Sequence, residues 1–439
     1  MKKKIAVLTS LLLIISIAIF SGCIEEDTPS PSPTVTIALT PEPEQEEEGK
    51  WEATPDDHEA APEKEMAVVN SSNQFALDLY SNLREEDGNV FFSPYSISTA
   101  LAMTYEGARG ETAEEIQSVF YFPVDDETRR RSFEAIHNNF NKEDADYKLE
   151  TANALWIQED YRILDEYIDT IEKYYGGRAT NLDFINSTED SRQTINSWVE
   201  EKTNNKIKDL FPQGSLDRYT RLVLTNAIYF KGDWVKQFDE SDTRDEDFRV
   251  SSNQTVKVPM MRRTGKEERF NYTETEELQL LEMLYEGEEL SMLILLPKND
   301  DIESIEESLT FENLGDWKSE LRTQQVNVFI PKFTFTTRYS LNENLKEMGM
   351  PSAFTEKEAD FSGIDGTYKL LIQSVVHQAF VDVNEEGTEA AAATGVSFGI
   401  TSLPPEPKTF RADHPFIFII QERETGTILF LGRVTDPSQ

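Results

Sequence analysis

The sequence predicts an α+β fold with mainly antiparallel sheets, and three observations carry that prediction. Apolar residues recurring at three- and four-residue steps, the helical period, dominate the first half of the chain beyond about residue 67. Short apolar runs typical of strands dominate the second half. Between 67 and 439 there is no internal repeat and no second linker, so this stretch reads as one large domain. In chain order, the helical pattern covers 73–83, a stretch after Ser93-Pro94, 126–139, 165–174 and 188–203. Strand-like runs follow at 222–229, 290–296, 325–335, 378–383, 416–421 and 428–432.

Ahead of that domain lie two segments of different character. Lys2, Lys3 and Lys4 precede an apolar run over 5–20, and Ser21-Gly22 leads into Cys23, the single cysteine. The pattern resembles a prokaryotic lipoprotein signal, so 1–22 is expected to be removed and Cys23 to be lipidated; an uncleaved anchor is the alternative. Residues 23–66 then read as a tether, with seven prolines scattered among glutamates and too few large apolar side chains to offset ordering entropy. The domain is therefore expected outside the cytoplasm, held to the outer face of the cell membrane through the N-terminus, or else secreted.

Composition excludes several function classes. With 82 acidic against 42 basic residues the net charge is −40, which argues against nucleic acid or an anionic membrane surface as partner. Four histidines and one cysteine leave little room for a metal cluster and none for an intrachain disulfide. No cofactor is expected.

The segment 385–402, EEGTEAAAATGVSFGITS, carries the most information. Thr388, Ala390, Ala392, Thr394, Val396, Phe398 and Ile400 alternate with a small or polar set, the period of a strand. Over 388–401, four alanines and two glycines make it a poor strand by propensity, and Pro404-Pro405 stops it. It reads either as a mediocre edge strand or as an exposed loop able to become a strand.

Shorter blocks suggest catalysis and fail on context. Residues 395–399 match the G-x-S-x-G nucleophile elbow, which needs a strand before Ser397 and a helix after it. An alanine-glycine run precedes and a double proline follows. The partner histidine of a serine hydrolase would be His414 or His377. The acidic turn over 382–387 resembles a calcium loop only superficially, and a solvated turn explains it. Arg129, Arg130 and Arg131 suggest an anion patch, but neighbouring acids make a polar helix face the default.

Several blocks together resemble the serpins, the serine protease inhibitor family: NVFFSPYSISTAL from Asn89, TNAIYFKGDW from Thr225, VFIPKF from Val328, DFSGI from Asp360, HQAF from His377, DHPF from Asp413 and FLGRV from Phe430. They fall in serpin order and spacing over nearly all of 67–437; the type suggested is prokaryotic or archaeal, with the lipoprotein-like leader outside the resemblance. The resemblance implies three β-sheets with about eight to nine helices, and an exposed reactive-centre loop above a five-stranded sheet A that accepts one more strand. Such a chain is not an enzyme but a suicide substrate, expected to be a monomer. A serine protease cleaves the loop, the loop inserts, and the covalently attached protease is carried away and distorted.

Residue by residue, the hinge implied is Glu385, Glu386, Gly387, Thr388, Glu389, Ala390, Ala391, Ala392, Ala393 and Thr394. Gly387 is expected to swing through unusual dihedrals, and the inserting residues Thr388, Ala390, Ala392 and Thr394 are uncharged and small. Seventeen residues counted from Glu385 end at Thr401, so attack is expected at Thr401–Ser402, with Ile400 and then Phe398 as alternative sites. A small β-branched residue there suits an elastase-like or subtilisin-like protease with a small or hydrophobic primary pocket. Ser93, Ser96, Asn226 and His377 match the polar shutter beneath sheet A, and Trp234 matches the breach where insertion begins. The other readings are a noninhibitory serpin acting as chaperone or carrier and, more distantly, a hydrolase through Ser397.

Overall fold

A computed structural model describes residues 63–142, 145–388 and 407–439. The first half is helical: α1 (Glu63–Leu83), a short strand β1 (Val90–Phe92), α2 (Pro94–Gly107), α3 (Gly110–Phe120) and α4 (Asp126–Phe140). Next come β2 (Tyr147–Gln158), α5 (Asp165–Tyr175), β3 (Arg178–Leu182), α6 (Thr188–Lys202) and β4 (Leu222–Asp233). The second half holds β5 (Arg244–Ser251), β6 (Gln254–Arg263), β7 (Arg269–Glu274), β8 (Leu278–Leu284) and β9 (Leu290–Pro297). After these run α7 (Ile302–Ser308), α8 (Phe311–Ser319), β10 (Arg322–Pro331), β11 (Phe333–Ser340), α9 (Asn342–Met348) and α10 (Ser362–Asp365). The chain closes with β12 (Ser374–Val383), β13 (Gly387–Thr388), β14 (Lys408–Arg411), β15 (Phe416–Glu422) and β16 (Ile428–Val434).

The predicted α+β class holds, with helices first and strands second. One sheet has the order β11-β12-β13-β4-β2-β3, and β12 also pairs with β4 directly. The other runs β1-β16-β15-β9-β8-β7-β10-β6-β5, with β14 beside β10. Most pairs are antiparallel; β4 with β12, β2 with β3 and β10 with β14 are parallel. The second and third expected sheets are joined through β10, whose first half pairs with β7 and second half with β6.

The expected run 325–335 proves to be two strands in different sheets. β10 ends at Pro331, which has no N–H to extend a ladder, and the Lys332 amide donates to Pro259 instead (2.8 Å) before β11 begins. Helix α1 begins at Glu63, four residues ahead of the expected domain start.

Two layers of helix cover the six-stranded sheet. Behind it lies α2, started by Ser93, whose side chain accepts from the Ser96 amide, with Pro94 in the first turn. Every residue of α2 except Tyr105 is buried. In front, Ile195 and Val199 of α6 pack on Ala152, Ala154 and Trp156 of β2, on Ala227 of β4 and on Val376 of β12. Covered on both faces, β4 reads as a continuous apolar run and not as an alternation. Arg129 is interior too, not on a polar face: it pairs with buried Glu106 at 2.8 Å, which Arg130 also engages at 2.6 Å.

Candidate functional site

The sheet has a seam between β4 and β12. The two strands pair directly from Ser374 opposite Val223 to Ala379 opposite Ile228. Beyond that point they part, and β13 lies between them, with Thr388 opposite Val383 on one side and Gly232 on the other. The described residues assigned from the sequence to the hinge, shutter and breach lie along this seam.

At mid-seam, Ser93, Ser96, Asn226 and His377 come together with Asn153, all buried. The Ser93 amide donates to His377 Nε2 (3.1 Å), so Nε2 is unprotonated and the ring proton sits on Nδ1, donated to Asn226 Oδ1. The Asn226 amide donates to Ser96 Oγ and to Asn153 Oδ1, each at 2.6 Å, and Ser96 Oγ donates to the same Asn153 oxygen (3.1 Å). Burial pushes His377 down to about 3, keeping the cluster uncharged. The sequence reading missed Asn153. Its signal was a lone polar residue in the run TANALWI of β2, hidden because alanines made that strand a poor candidate.

Where the strands part, a short turn holds the start of the hinge. Asn384 Oδ1 accepts from the amides of Glu386 (3.1 Å) and Gly387 (3.3 Å), and the Asn384 amide donates to Gly387 O (2.9 Å). Trp234, buried at 1% exposure, donates from its indole to Asn384 O (3.1 Å) and from its backbone to Glu386 O (2.8 Å). The Trp234 ring stacks on Tyr285 with centroids 4.4 Å apart, and the Tyr285 hydroxyl shares a hydrogen bond with Thr388 Oγ1 (2.9 Å). Glu385 is buried but paired, with Lys332 at 2.6 Å and a donor bond from Thr243 at 2.7 Å. Burial opposes its charge, yet these two partners hold its carboxyl below the ordinary range. Lys332 reaches it from the break between β10 and β11.

The start of the hinge is already seated: Gly387 and Thr388 are paired inside the sheet, with Thr388 buried. Here Gly387 has no positive φ, and its lack of a side chain allows a close approach, since a Cβ there would lie 2.2 Å from Gly232 O and 2.6 Å from Asp233 Cα. Glu389, Ala390, Ala391, Ala392, Ala393, Thr394, Ser397, Phe398, Ile400, Thr401, Ser402 and Cys23 lie outside the described residues.

Both histidines considered as a catalytic base are engaged by other partners. Both ring nitrogens of His377 are engaged inside the shutter cluster. His414 is fixed by Asp413 at Nδ1 (2.8 Å) and by Pro297 O at Nε2 (2.7 Å). In the acidic turn, Asp382 accepts from Thr334 while Glu385 pairs with Lys332, so the carboxylates take separate partners.

Comparison with known proteins agrees with this architecture. A family model described as Serpin (serine protease inhibitor) matches residues 70–437. The chain belongs to the serpin family. An uncharacterized serpin-like protein of Thermococcus kodakarensis is 46% identical over 377 residues, covering 85% of this serpin and 87% of its relative. Human leukocyte elastase inhibitor is 42% identical over 384 residues, covering 85% of this chain and all of the inhibitor. The crystal structure of human thyroxine-binding globulin superposes with a TM-score of 0.77 at 32% identity, over 86% of this chain and 99% of the globulin. Relatives on this fold thus include a named elastase inhibitor and a named thyroxine binder, and the fold alone does not choose between them.

Proposed function

We propose that this serpin is a suicide-substrate inhibitor of serine proteases. The protease serine attacks the Thr401 carbonyl, the Thr401–Ser402 bond breaks with Ser402 leaving as the free amine, and Thr401 remains esterified to the enzyme. Insertion of the freed segment then carries the protease away before water hydrolyses the ester. The observation that carries the reading is β13, a strand of two residues already aligned antiparallel to both neighbours at the open end of the seam. Antiparallel addition on both sides is the geometry of strand insertion in this fold. The following residues through Thr394 include only one charge, Glu389, on the parity opposite to Thr388.

A small or hydrophobic primary pocket, as in elastase-like and subtilisin-like enzymes, suits the residues around Thr401, and similarity to leukocyte elastase inhibitor favours the same class. No cofactor enters the scheme. On this reading the chain acts outside the cytoplasm, lipidated at Cys23 and tethered through 23–66. A carrier role, as the name of thyroxine-binding globulin suggests for that relative, is the second reading. Incubation of the full chain with a panel of elastase-like and subtilisin-like proteases separates the two. Inhibition gives a complex that survives SDS and a large gain in heat stability on loop cleavage; cleavage with neither outcome overturns it.

A further inference from the structure

Below the shutter, the seam is closed by a third device that no shared block supplied. Gln373, immediately before β12, reaches across to the start of β4 and the residues just before it. Its Oε1 accepts from the amides of Arg221 and Leu222, the latter at 3.3 Å, and its Nε2 donates to Tyr219 O at 2.5 Å. Its backbone amide donates to Leu222 O (3.2 Å). Only this orientation of the carboxamide works, since a flipped group would face two N–H donors with its own NH2. Gln373 is itself held from the other side. Asn342, at the start of α9, donates to Gln373 O (2.8 Å) and accepts from the Val375 amide (2.9 Å).

Register makes this clasp matter. Thr388 lies opposite Gly232, and each residue added to an antiparallel strand moves one position back along β4. A strand continuing β13 therefore brings position 398 opposite Leu222, and by the Val383–Thr388 pairing opposite Gln373 as well. Insertion as far as Thr401 cannot finish while Gln373 bridges the seam.

We propose that Gln373 is a positioning residue that sets the rate at which the loop completes insertion, and so the partition between trapped and released protease. The partition half of this rests on the inhibitory reading; the rate half does not. The test compares the full chain with its Gln373→Ala and Gln373→Glu variants. A synthetic peptide with the sequence of residues 389–401 is added, continuing from the seated Thr388, and annealing into the sheet is followed as gained resistance to urea. Gln373→Ala is expected to anneal it about fivefold faster or more, the factor that one or two lost hydrogen bonds give. Gln373→Glu, which keeps the acceptor and loses the donor, is expected to fall between; should the alanine variant not fold, it reads in the same direction. With an elastase-like protease, the alanine variant is expected to consume fewer inhibitor molecules per trapped enzyme. An unchanged annealing rate, or a lower unfolding midpoint with no change in rate, overturns the clasp and marks Gln373 as merely structural. Faster annealing with no protease complex upholds the clasp and overturns the inhibitory reading.

Discussion

Halfway along the seam, β4 and β12 meet directly over His377 and Asn226; at its open end they separate around Gly387 and Thr388. The middle is a neutral network in which each buried polar group is satisfied only while the others stay in position. The open end is built from separable parts: a glycine in close approach, an aromatic pair, an asparagine-held turn and one ion pair. A polar network in a water-free interior fails as a unit, because any unpaired member keeps its full desolvation cost. A wedge of independent contacts yields in stages. The contrast teaches where a barrier to strand insertion belongs and where its starting point belongs.

The largest expected effect breaks the middle. Asn226→Ala leaves the His377 Nδ1–H, Ser96 and Asn153 without their shared partner, and is expected to cost about 3 kcal/mol of unfolding free energy. Urea denaturation checks it, and native gels are expected to show polymers of the variant. A loss below about 1 kcal/mol would mean the five residues are not a cooperative unit.

Gly387→Ala attacks the open end, with a smaller global effect. The new methyl cannot share space with Gly232 O, so β13 is expected to leave the seam at a cost of about 1–2 kcal/mol, a typical penalty for overpacking. Because Gly387 has no positive φ, alanine is conformationally acceptable there and any cost reports the clash. Hydrogen exchange is expected to show at least tenfold less protection at the Thr388 amide, with the shutter amides unchanged. Equal loss in both regions would erase the distinction between them.

The sequence made the seam legible unequally. Ser93, Ser96, Asn226, His377 and Trp234 stand in blocks whose order and spacing were recognisable, and most of the larger helices announced themselves by period. Asn153 did not, because a single asparagine in an alanine-rich strand has no local meaning until β2 pairs with β4. Thr243, Tyr285 and Gln373 were equally silent. Each acts on a partner about a hundred or more positions away, through contacts that only the sheet register creates. Strands β5 to β7 were missed for another reason. Runs such as RDEDFRVS of β5 are polar on most positions because one face meets solvent, and their pattern is weak.

The smallest expected effect concerns Glu385 and separates the two regions by pH. Its carboxyl is held below the ordinary range in the folded chain, so its stabilisation is complete above the unfolded value of about 4.3 and is lost as pH falls through the folded one. His377 has a different window. Its folded form resists protonation down to about 3, so the unfolded chain gains the proton first and stability falls from about pH 6.5 downward. Glu385→Gln, read as the difference from the unsubstituted chain in urea melts across pH, is therefore expected to give a flat difference above about pH 4.5 and a change only below it. The decline between 6.5 and 4.5 is expected to persist in the variant, because its sources, His377 at mid-seam and His137 of α4, which burial also lowers, share no partner with Glu385. If the substitution also flattens that decline, the open end and the shutter titrate as one body, and the staged opening of the seam fails with it.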